Sequence, residues 1–264
     1  MNKTVLITGA SSGIGKVLLK QLIELNYDVI GLSRRPAKDL NYTHFSCDLS
    51  DPKAIEKTAL DIQHSLTKLD AMIHVAGYGI ADALEYTTYQ DAERIHRVNV
   101  LGPFYLNRLL LPMLRKGIKP KIIHVGSVAG TLTIPFQAFY SMSKASLFSY
   151  SEALRMELKP FKISVSIILP GDIKTPFTEN RKKTYKTNDP LYKNRIERAI
   201  TKMAQDEQNG MAPERVTNTI LKMLNKRRLP IFKTIGVQYK LIMFLAKFLP
   251  HRLRLYFLYK LYGK

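Results

Sequence analysis

The stretch KTVLITGASSGIG, residues 3–15, decides the fold of this 264-residue chain. Its first six residues, KTVLIT, form an apolar run that predicts a short buried strand. A glycine-rich turn follows, and apolar residues at helical spacing then predict a helix over residues 13–26. Glycine lets such a turn come close to a pyrophosphate, and the N-terminus of the helix offers it free N–H groups. The stretch therefore predicts the start of a dinucleotide-binding fold.

Strands and helices alternate along the rest of the chain. Apolar runs predict further strands at residues 28–33, 43–47, 70–76, 121–126, 162–169 and 229–232. Helical spacing predicts helices at residues 52–66, 89–116 and 213–224, and one through Tyr140 that ends at residue 158. This alternation is typical of the α/β class: a Rossmann-like, doubly wound parallel sheet of about seven strands flanked by helices. We expect residues 1–235 to form this domain and residues 236–264 to form a C-terminal helical extension.

The second predicted strand ends in Ser33-Arg34-Arg35. In folds of this kind, an acidic residue at the end of this strand binds the ribose 2′-hydroxyl of NAD, and no carboxylate stands here. Two guanidinium groups suit a 2′-phosphate, because arginine pairs with phosphate through two hydrogen bonds. The sequence therefore predicts NADP(H) in preference to NAD(H). The alternative is a solvated loop with two surface arginines.

A tyrosine and a lysine stand four residues apart in FYSMSK, residues 139–144. On a helix this spacing places Tyr140 and Lys144 on one face. A neighbouring ammonium favours the phenolate and lowers the pKa of a tyrosine, which makes it an acid/base group closer to neutral pH. Ser127 lies thirteen residues before Tyr140, at the predicted end of a strand, and offers a hydroxyl to the same substrate oxygen. The alternative is an ordinary exposed helical pair.

Taken in order, these motifs resemble the classical short-chain dehydrogenase/reductase family over residues 3–232. TGASSGIG matches the family's TGxxxGxG loop, and Asp48 matches its acidic residue that contacts adenine. PGDIKT, from Pro170, matches its PGxxxT segment that contacts the nicotinamide. The resemblance implies a set of cofactor-binding residues: Gly9, Ser11, Ser12, Gly13, Ile14, Gly15, Ser33, Arg34, Arg35, Asp48, Leu49, Ala76, Gly77, Tyr140, Lys144, Pro170, Gly171, Ile173 and Thr175.

The resemblance also implies a catalytic set of four residues. NADPH would deliver a hydride to a carbonyl carbon, while Tyr140 gives its proton to the oxygen and Ser127 orients that oxygen. Lys144 would lower the pKa of Tyr140 and hold the nicotinamide ribose. Asn99, in VNVLG, matches the asparagine that supports a proton-relay water. Reversed, the same residues would oxidise a secondary alcohol.

One position departs from the family pattern. The family usually has NNAG after the fourth strand, and here the residues are His74-Val75-Ala76-Gly77. Gly77 is kept, but both asparagines are replaced, which affects the bracing of the loop on the adenine side. We expect His74 to be a packed strand histidine and not a catalytic one. The other histidines show no spacing typical of a metal site.

Cysteine usage and the N-terminus bear on the cellular compartment. Cys47 is the only cysteine, so no disulfide framework is expected, and we expect it to be a small buried residue. The apolar run near Val5 is too short for a signal peptide, so none is expected. These features fit a reducing, cytoplasmic compartment.

Positive charge is concentrated in the second half of the chain. The net charge is +20 overall, with +4 in residues 1–158 and +16 in residues 159–264. A basic half can bind nucleic acid, an anionic membrane or an acidic protein. No nucleic-acid-binding motif is present, so nucleic acid is not an expected partner.

The C-terminal stretch VQYKLIMFLAKFLPHRLRLYFLYKLYGK starts at Val237 and carries only positive charges. Its apolar runs are interrupted too often to span a bilayer, and Pro250 divides it into two predicted amphipathic helices. Basic residues among Phe, Leu and Tyr suit a peripheral anchor on anionic lipid. The alternatives are a helical cap over the core or a surface for a partner subunit. A homodimer or higher homo-oligomer is expected.

The segment from Thr175 to Gln208 is expected to cover the substrate. It contains Arg181-Lys182-Lys183 and Lys186, and either a mobile lid or a solvated insertion fits its composition. Thr131–Phe136 is expected to form another wall of the pocket. Apolar residues in these two segments suggest a lipophilic ketone or alcohol: Ile134, Pro135, Phe136 and Phe177.

Three functions are compatible with these observations. The first is an NADP(H)-dependent oxidoreductase that interconverts a carbonyl and a secondary alcohol on a lipophilic molecule, at a membrane surface. The second is a reductase of 3-ketoacyl chains bound to an acidic carrier protein, against which the C-terminal stretch counts. The third is a non-catalytic nucleotide-binding interaction protein, against which the complete set of catalytic residues counts.

Overall fold

A computed structural model describes residues 2–183, 189–192 and 194–264. Within these ranges, seven strands form one parallel sheet in the order β3-β2-β1-β4-β5-β6-β7. The strands are β1 Thr4–Thr8, β2 Asp28–Ser33, β3 Thr43–Ser46, β4 Ala71–His74, β5 Lys121–Val125, β6 Ser164–Pro170 and β7 Phe232–Ile235. The order reverses between β1 and β4, which is where such sheets bind ligands at the carboxyl ends of the strands.

Helices cover both faces of the sheet, as the alternating pattern predicts. They are α1 Gly13–Glu24, α2 Pro52–Ser65, α3 Tyr89–His96, α4 Gly102–Arg115, α5 Ala138–Glu157, α6 Arg195–Gln208, α7 Glu214–Asn225, α8 Val237–Phe248 and α9 His251–Tyr262. The start of α2 shows why a helix forms there. The Asp51 side chain accepts a hydrogen bond from the Lys53 amide at 2.9 Å, and Pro52 occupies the first helical position.

The apolar core lies in two layers, one on each face of the sheet. Val5 and Ile7 pack with Leu22 of α1, whereas Leu6 packs with Ile62 of α2 and with α4. Successive side chains of a strand point to opposite faces, so a strand buried on both faces is mostly apolar. β1, β4 and β5 are buried at every position, as their central place in the sheet requires, and they include the buried polar residues Lys121, His74 and His124.

The single helix predicted over residues 89–116 is interrupted. α3 and α4 are joined by a π-helical turn, Arg97–Leu101, in which Asn99 is buried. A π turn inserts one extra residue into a helix and so changes the direction of the side chains that follow. The hydrophobic spacing of the two flanking helices gave no indication of this insertion.

The last strand lies three residues later than predicted. Leu229 is buried, but its carbonyl and that of Pro230 accept hydrogen bonds from the Arg155 guanidinium at 2.9 and 3.2 Å. Proline has no N–H to give to a strand ladder. The pairing with β6 therefore starts at Phe232, opposite Ile167.

α8 and α9 are the two predicted C-terminal helices, divided at Pro250. Neither helix contains a buried residue. A few polar contacts attach them to the body of the protein. The Arg195 guanidinium donates to the Gly263 carbonyl at 2.9 Å, and the Tyr262 hydroxyl donates to Asp206 at 3.2 Å. Within the ranges that the structure describes, no helix has the length and apolar character needed to cross a bilayer.

Candidate active site

The glycine turn after β1 has the geometry that a dinucleotide phosphate site requires. Gly9 and Gly13 adopt positive φ angles of 72° and 50°, which L side chains rarely adopt. A Cβ atom on Gly9 would lie 2.8 Å from the Cα atom of Ala76, so the turn packs closely against the end of β4. α1 starts at Gly13 and points its free N–H groups towards this edge of the sheet. These residues fit a bound dinucleotide.

Arg34 and Arg35 follow β2 and are both exposed. Their backbone is fixed, because the Ser33 hydroxyl donates to the Arg35 carbonyl at 2.6 Å and Ser46 donates to the Arg34 carbonyl at 3.3 Å. Among the described residues, no carboxylate lies within 4.0 Å of either guanidinium. Both cations are therefore available to an anion at the end of β2.

Asp48 lies at the end of β3 with its carboxylate partly exposed. Its Oδ1 atom accepts from the Ser50 amide at 2.9 Å and from the Ser50 hydroxyl at 2.7 Å. Burial raises the pKa of Asp48, but these bonds and the charges of Arg94 and Arg34 outweigh it and leave the pKa below its usual value. Leu49 beside it packs into the core, so only its backbone is free to face a ligand.

Asn99 is held rigidly beside the loop that follows β4. Its Nδ2 atom donates to the Tyr78 carbonyl and to the Ser143 hydroxyl, both at 3.0 Å, and its Oδ1 atom accepts from the Tyr78 amide at 3.1 Å. A Cβ atom on Gly77 would lie 3.1 Å from Oδ1 of Asn99 and 3.4 Å from Nζ of Lys144. Gly77 in this loop therefore lies directly beside the side chains of both Asn99 and Lys144.

Ser127, Tyr140 and Lys144 line one pocket. Ser127 follows β5, and its hydroxyl accepts a hydrogen bond from the Ala129 amide at 3.1 Å. Tyr140 and Lys144 are one turn apart on α5, as predicted. The Lys144 ammonium donates to the Val125 carbonyl at 2.9 Å and lies 5.8 Å from the centre of the Tyr140 ring.

The pKa of Tyr140 differs from the sequence prediction. Burial raises it to about 12, and a hydrogen bond with Ser127 only partly opposes this effect. Burial also lowers the pKa of Lys144 to about 8. The Lys144 ammonium hydrogen-bonds a backbone carbonyl and not the phenol, and burial is the largest influence on the pKa of Tyr140 in this arrangement. For both groups, the loss of water on burial is the largest influence on the pKa.

The same pocket gathers part of the predicted cofactor set: Ile14, Gly77, Pro170, Gly171, Ile173 and Thr175. The other predicted residues lie outside its lining: Gly9, Ser11, Ser12, Gly13, Gly15, Ser33, Arg34, Arg35, Asp48, Leu49, Ala76 and Asn99. Apart from Asn99, these residues follow the carboxyl ends of β1 to β4, so they mark a path along the sheet edge that leads away from the pocket.

The substrate walls agree with the sequence only in part. Ile134 and Phe177 line the pocket, and the Phe177 ring lies 5.5 Å from that of Tyr140. Phe136 instead packs in a separate cluster around Ala81. Arg181 is not solvated: its side chain is fully buried and forms an ion pair with Glu207. Lys186, named in the predicted lid, lies outside the described residues.

Among the lining residues that the sequence did not single out are Asp172, Met203, Glu207 and Tyr262. Asp172 stands inside the PGDIKT motif, and Met203 and Glu207 lie in the segment from Thr175 to Gln208 that was expected to cover the substrate, whereas no local signal marks Tyr262. Met203 and Glu207 come from α6, and Tyr262 comes from the end of α9. No spacing rule connects them to Tyr140.

His74 is a packed strand histidine, as expected. Its Nε2 atom lies 2.8 Å from Oδ1 of Asn107, and its ring stacks on that of His124 at 5.0 Å. Asn107 bonds His124 in turn at 3.3 Å, and Ser151 bonds the other ring nitrogen of His124 at 2.9 Å. Desolvation lowers the pKa of His74 to about 4, so this network holds neutral imidazoles.

Comparisons with known proteins show the family of the chain. The model of a family described as short chain dehydrogenase matches residues 3–186. A 3-ketodihydrosphingosine reductase of Bacteroides thetaiotaomicron is 33% identical over 88% of this chain and 87% of its own length. VdlC of Helicobacter pylori, named a probable short-chain type dehydrogenase/reductase, is 30% identical over 92% of each chain. The crystal structure of a short-chain dehydrogenase from Streptomyces avermitilis is 26% identical, with a TM-score of 0.79 over 94% of this chain and 93% of that one.

The fold and the site define a nicotinamide-dinucleotide-dependent oxidoreductase. Within that class, the chain belongs to the classical short-chain dehydrogenase/reductase family.

Proposed function

We propose that this enzyme is an NADP(H)-dependent reductase of lipophilic ketones that works on the surface of an anionic membrane. In the reverse direction it would oxidise the corresponding secondary alcohols. The observation that carries the proposal is the placing of Ser127, Tyr140 and Lys144 around one pocket with the apolar side chains of Ile134 and Phe177. A relative named a 3-ketodihydrosphingosine reductase supports a ketone as the substrate.

The residues of the pocket have complementary roles in this proposal. The Tyr140 phenol, protonated at neutral pH because its pKa is about 12, donates its proton to the carbonyl oxygen as charge develops there. The Ser127 hydroxyl holds the same oxygen in place. The Lys144 ammonium supplies positive charge beside the phenol, and Asn99 orients the loop that carries Gly77. A bound NADPH would supply the hydride.

Tyr140→Phe tests the chemistry, because it removes only the phenolic oxygen. We expect turnover with NADPH and a long-chain ketone to fall by about 10²–10⁴-fold, the usual contribution of a general acid. Binding of NADPH, followed by its fluorescence, should be retained. Tyr89→Phe is the matched control, because Tyr89 is 78% exposed and far from the pocket lining. Unchanged turnover in Tyr140→Phe would refute the mechanism.

Arg34 and Arg35 support the preference for NADP(H). We propose that their guanidinium groups, which form no ion pair among the described residues, bind the 2′-phosphate of NADP(H) at the end of β2. The hydroxyls of Ser33 and Ser46 donate to the carbonyls of the two arginines and so hold their backbone in place. Titration with NADPH and NADH should show tighter binding of NADPH. In Arg34→Ser/Arg35→Ser this preference should fall by about 10–100-fold. Lys38→Ser removes a nearby exposed cation as the control. Equal binding of both cofactors by the unchanged protein would overturn the assignment.

The C-terminal extension, residues 236–264, supports a membrane location. Its two helices expose many large apolar side chains: Val237, Leu241, Ile242, Phe244, Leu245, Phe248, Leu253, Leu255, Tyr256, Phe257, Tyr259 and Leu261. The same helices carry Lys240, Lys247, Arg252, Arg254 and Lys260, and no acidic residue. A surface that is both apolar and cationic matches the interface of an anionic bilayer. We propose that this contact is made on the cytoplasmic side of the membrane, because the free thiol of Cys47 fits a reducing compartment. The proposal also includes a homo-oligomer.

A further inference from the structure

One wall of the substrate pocket carries two carboxylates, Asp172 and Glu207. Both groups lie close enough to Tyr140 for their negative charges to add to the effect of burial on its pKa. Both carboxylates therefore lie in the same pocket as the phenol that a substrate carbonyl would meet. Neither has a counterpart in the predicted catalytic set, so their chemistry at this position needs its own explanation.

The charge of Glu207 is balanced within the protein. Its Oε1 atom accepts from the Arg181 guanidinium, and its Oε2 atom accepts from the Thr178 hydroxyl. The Arg181 side chain is fully buried and that of Glu207 is 13% exposed, so the pair is shielded from solvent. Arg181 balances the charge of Glu207 without a further cation, although Nε and Nη1 of this guanidinium have no hydrogen-bond partner among the described residues.

The charge of Asp172 is not balanced in the same way. Its Oδ2 atom accepts a hydrogen bond from the Tyr239 hydroxyl of α8, which is neutral. Among the described residues, no lysine or arginine nitrogen lies within 4.0 Å of it. Lys202 and Arg181 are the cations whose charges reach Asp172, and they are already paired with Asp206, at 2.5 Å, and with Glu207.

Burial makes this imbalance significant. Desolvation is the main cause that raises the pKa of Asp172, against the hydrogen bond from Tyr239. Removing a carboxylate from water is costly unless a cation or several donors compensate it. Asp172 lines the pocket, and Tyr239 is the only side-chain donor to its carboxylate that is found among the described residues. A cation brought by the substrate would supply the missing charge.

We propose that Asp172 is a specificity-determining residue that binds a cationic nitrogen, such as a primary ammonium, close to the reacting carbonyl of the substrate. This inference rests on the proposed function, since it assumes that Tyr140 reduces a ketone in the same pocket. The substrate class becomes a lipophilic amino ketone, and the product an amino alcohol. The N–H groups of the ammonium donate to the carboxylate of Asp172, which is a charge-assisted contact.

A matched pair of substrates tests the proposal in the full-length protein. One is a long-chain 2-amino-3-ketone, supplied as its hydrochloride, and the other is the 2-methyl-3-ketone of the same length. The methyl group and the ammonium are of similar size, so the pair differs mainly in charge. With NADPH in neutral detergent micelles at pH 7, we expect kcat/KM to favour the amino ketone by about 10–100-fold.

Asp172→Asn should remove most of this preference, because the amide keeps the shape and still accepts from Tyr239 but carries no charge. The loss should be in KM for the amino ketone, and the 2-methyl ketone should be affected far less. Asp172→Glu, which keeps the charge, should restore part of the preference. If Asp172→Asn slows the reduction of both ketones equally, Asp172 does not recognise the ammonium group, and the proposal is wrong.

Two control variants distinguish two roles of Asp172: recognition of the substrate ammonium and attachment of the C-terminal helices. Tyr239→Phe removes the hydrogen bond to Asp172 but keeps the carboxylate, and Asp206→Asn removes a nearby carboxylate that does not line the pocket. Both should keep the preference for the amino ketone. If Tyr239→Phe instead reproduces the effect of Asp172→Asn, the role of Asp172 is to anchor α8, and the proposal is wrong.

The outcomes also distinguish this inference from the proposed function. If the unchanged protein reduces both ketones equally well, and Tyr140→Phe reduces neither, the inference fails while the proposed function stands. If the unchanged protein reduces neither ketone with NADPH, both fail. Calorimetric binding of the long-chain 2-amino-3-alcohol to Tyr140→Phe, with and without Asp172→Asn, gives a readout that needs no turnover. Equal affinity in these two proteins would also overturn the inference.

Discussion

Lys144 shows how burial changes the chemistry of a residue that the sequence identifies. Its spacing from Tyr140 predicts an ammonium that lowers the pKa of the phenol. In the structure, Lys144 is 5% exposed, its ammonium donates to the Val125 carbonyl, and burial lowers its own pKa to about 8. Since Tyr140 titrates near 12, Lys144 is the member of the pair that changes charge close to neutral pH.

The stability of the cofactor-free protein should depend on Lys144. Its folded pKa of about 8 lies below its ordinary value of 10.5, so the unfolded chain binds more protons between these values and stability rises with pH across this window. Lys144→Met should abolish turnover and should stabilise the protein more at pH 7 than at pH 10, by about 2–3 kcal/mol. The lost hydrogen bond to the Val125 carbonyl opposes this gain at both pH values. Urea unfolding measures the gain, which should be much smaller at pH 10. An equal gain at both pH values would contradict this explanation.

His74 predicts sensitivity to acid. Its folded pKa of about 4 lies below its ordinary value of 6.5, so the unfolded chain binds more protons in this window and stability falls as the pH drops. From pH 7 to pH 5 this residue should cost about 2 kcal/mol. His74→Asn should make the loss measured by urea unfolding smaller, whereas His64→Asn, at an exposed position of α2, should not. Equal acid sensitivity in both variants would exclude His74 as the cause.

At the scale of elements, the C-terminal helices are attached to the body of the protein by a few side chains and expose most of the others to solvent. Tyr239 bonds Asp172, and the Thr131 hydroxyl contacts the Met243 sulfur at 3.0 Å, so one side of α8 lies against the pocket. Other side chains of α8 and α9 are exposed, and they include both apolar and cationic ones; Phe248 is 74% exposed. The helices therefore connect the proposed membrane surface directly to the substrate pocket.

Charge reversal on these helices should weaken membrane binding. Each lysine or arginine near an anionic surface contributes about 1 kcal/mol, so Lys240→Glu/Lys247→Glu/Arg254→Glu should lower partitioning by at least about 100-fold. Co-sedimentation with vesicles that contain phosphatidylserine measures this. The matched control, Lys226→Glu/Arg227→Glu/Arg228→Glu, changes three exposed cations before β7. A similar loss in both triple variants would show that the total charge, and not the C-terminal extension, controls binding.

At the scale of the whole molecule, the sheet and the C-terminal extension are unequal contributors to stability. The extension contributes no buried residue to the core, and within α8 the partly buried Tyr239 and Met243 pack against a core cluster that contains Ile167 and Leu169. Yet Tyr262 of α9 lines the pocket, and Tyr239 lies against Gly171. The extension therefore matters more to the site than to the fold.

Removal of residues 237–264 should separate these contributions. We expect the melting temperature to fall by less than about 5 °C, because the buried core is kept. Vesicle binding should be lost, and kcat/KM for a long-chain ketone should fall more than that for a short-chain ketone, since the Tyr262 wall is gone. Global unfolding of the truncated chain, or equal vesicle partitioning with and without the extension, would contradict this division.

The amino-acid sequence by itself determined the order of strands and helices, the glycine turn after β1, and the presence of Ser127, Tyr140 and Lys144 around one site. These features are local: they follow from hydrophobic period, glycine conformations and the spacing of four on a helix, and parallel strands bring their carboxyl ends together. Tertiary packing alone decided the π turn at Asn99.

Packing also decided the electrostatics of the pocket. Asp172, Glu207 and Tyr262 reach it from three separate segments, and Arg181 is buried although its neighbours in the sequence are basic. The pKa values of Tyr140 and Lys144 depend on how much water each group loses on folding. No spacing in the sequence encodes that quantity, because desolvation is set by every element that closes over the site.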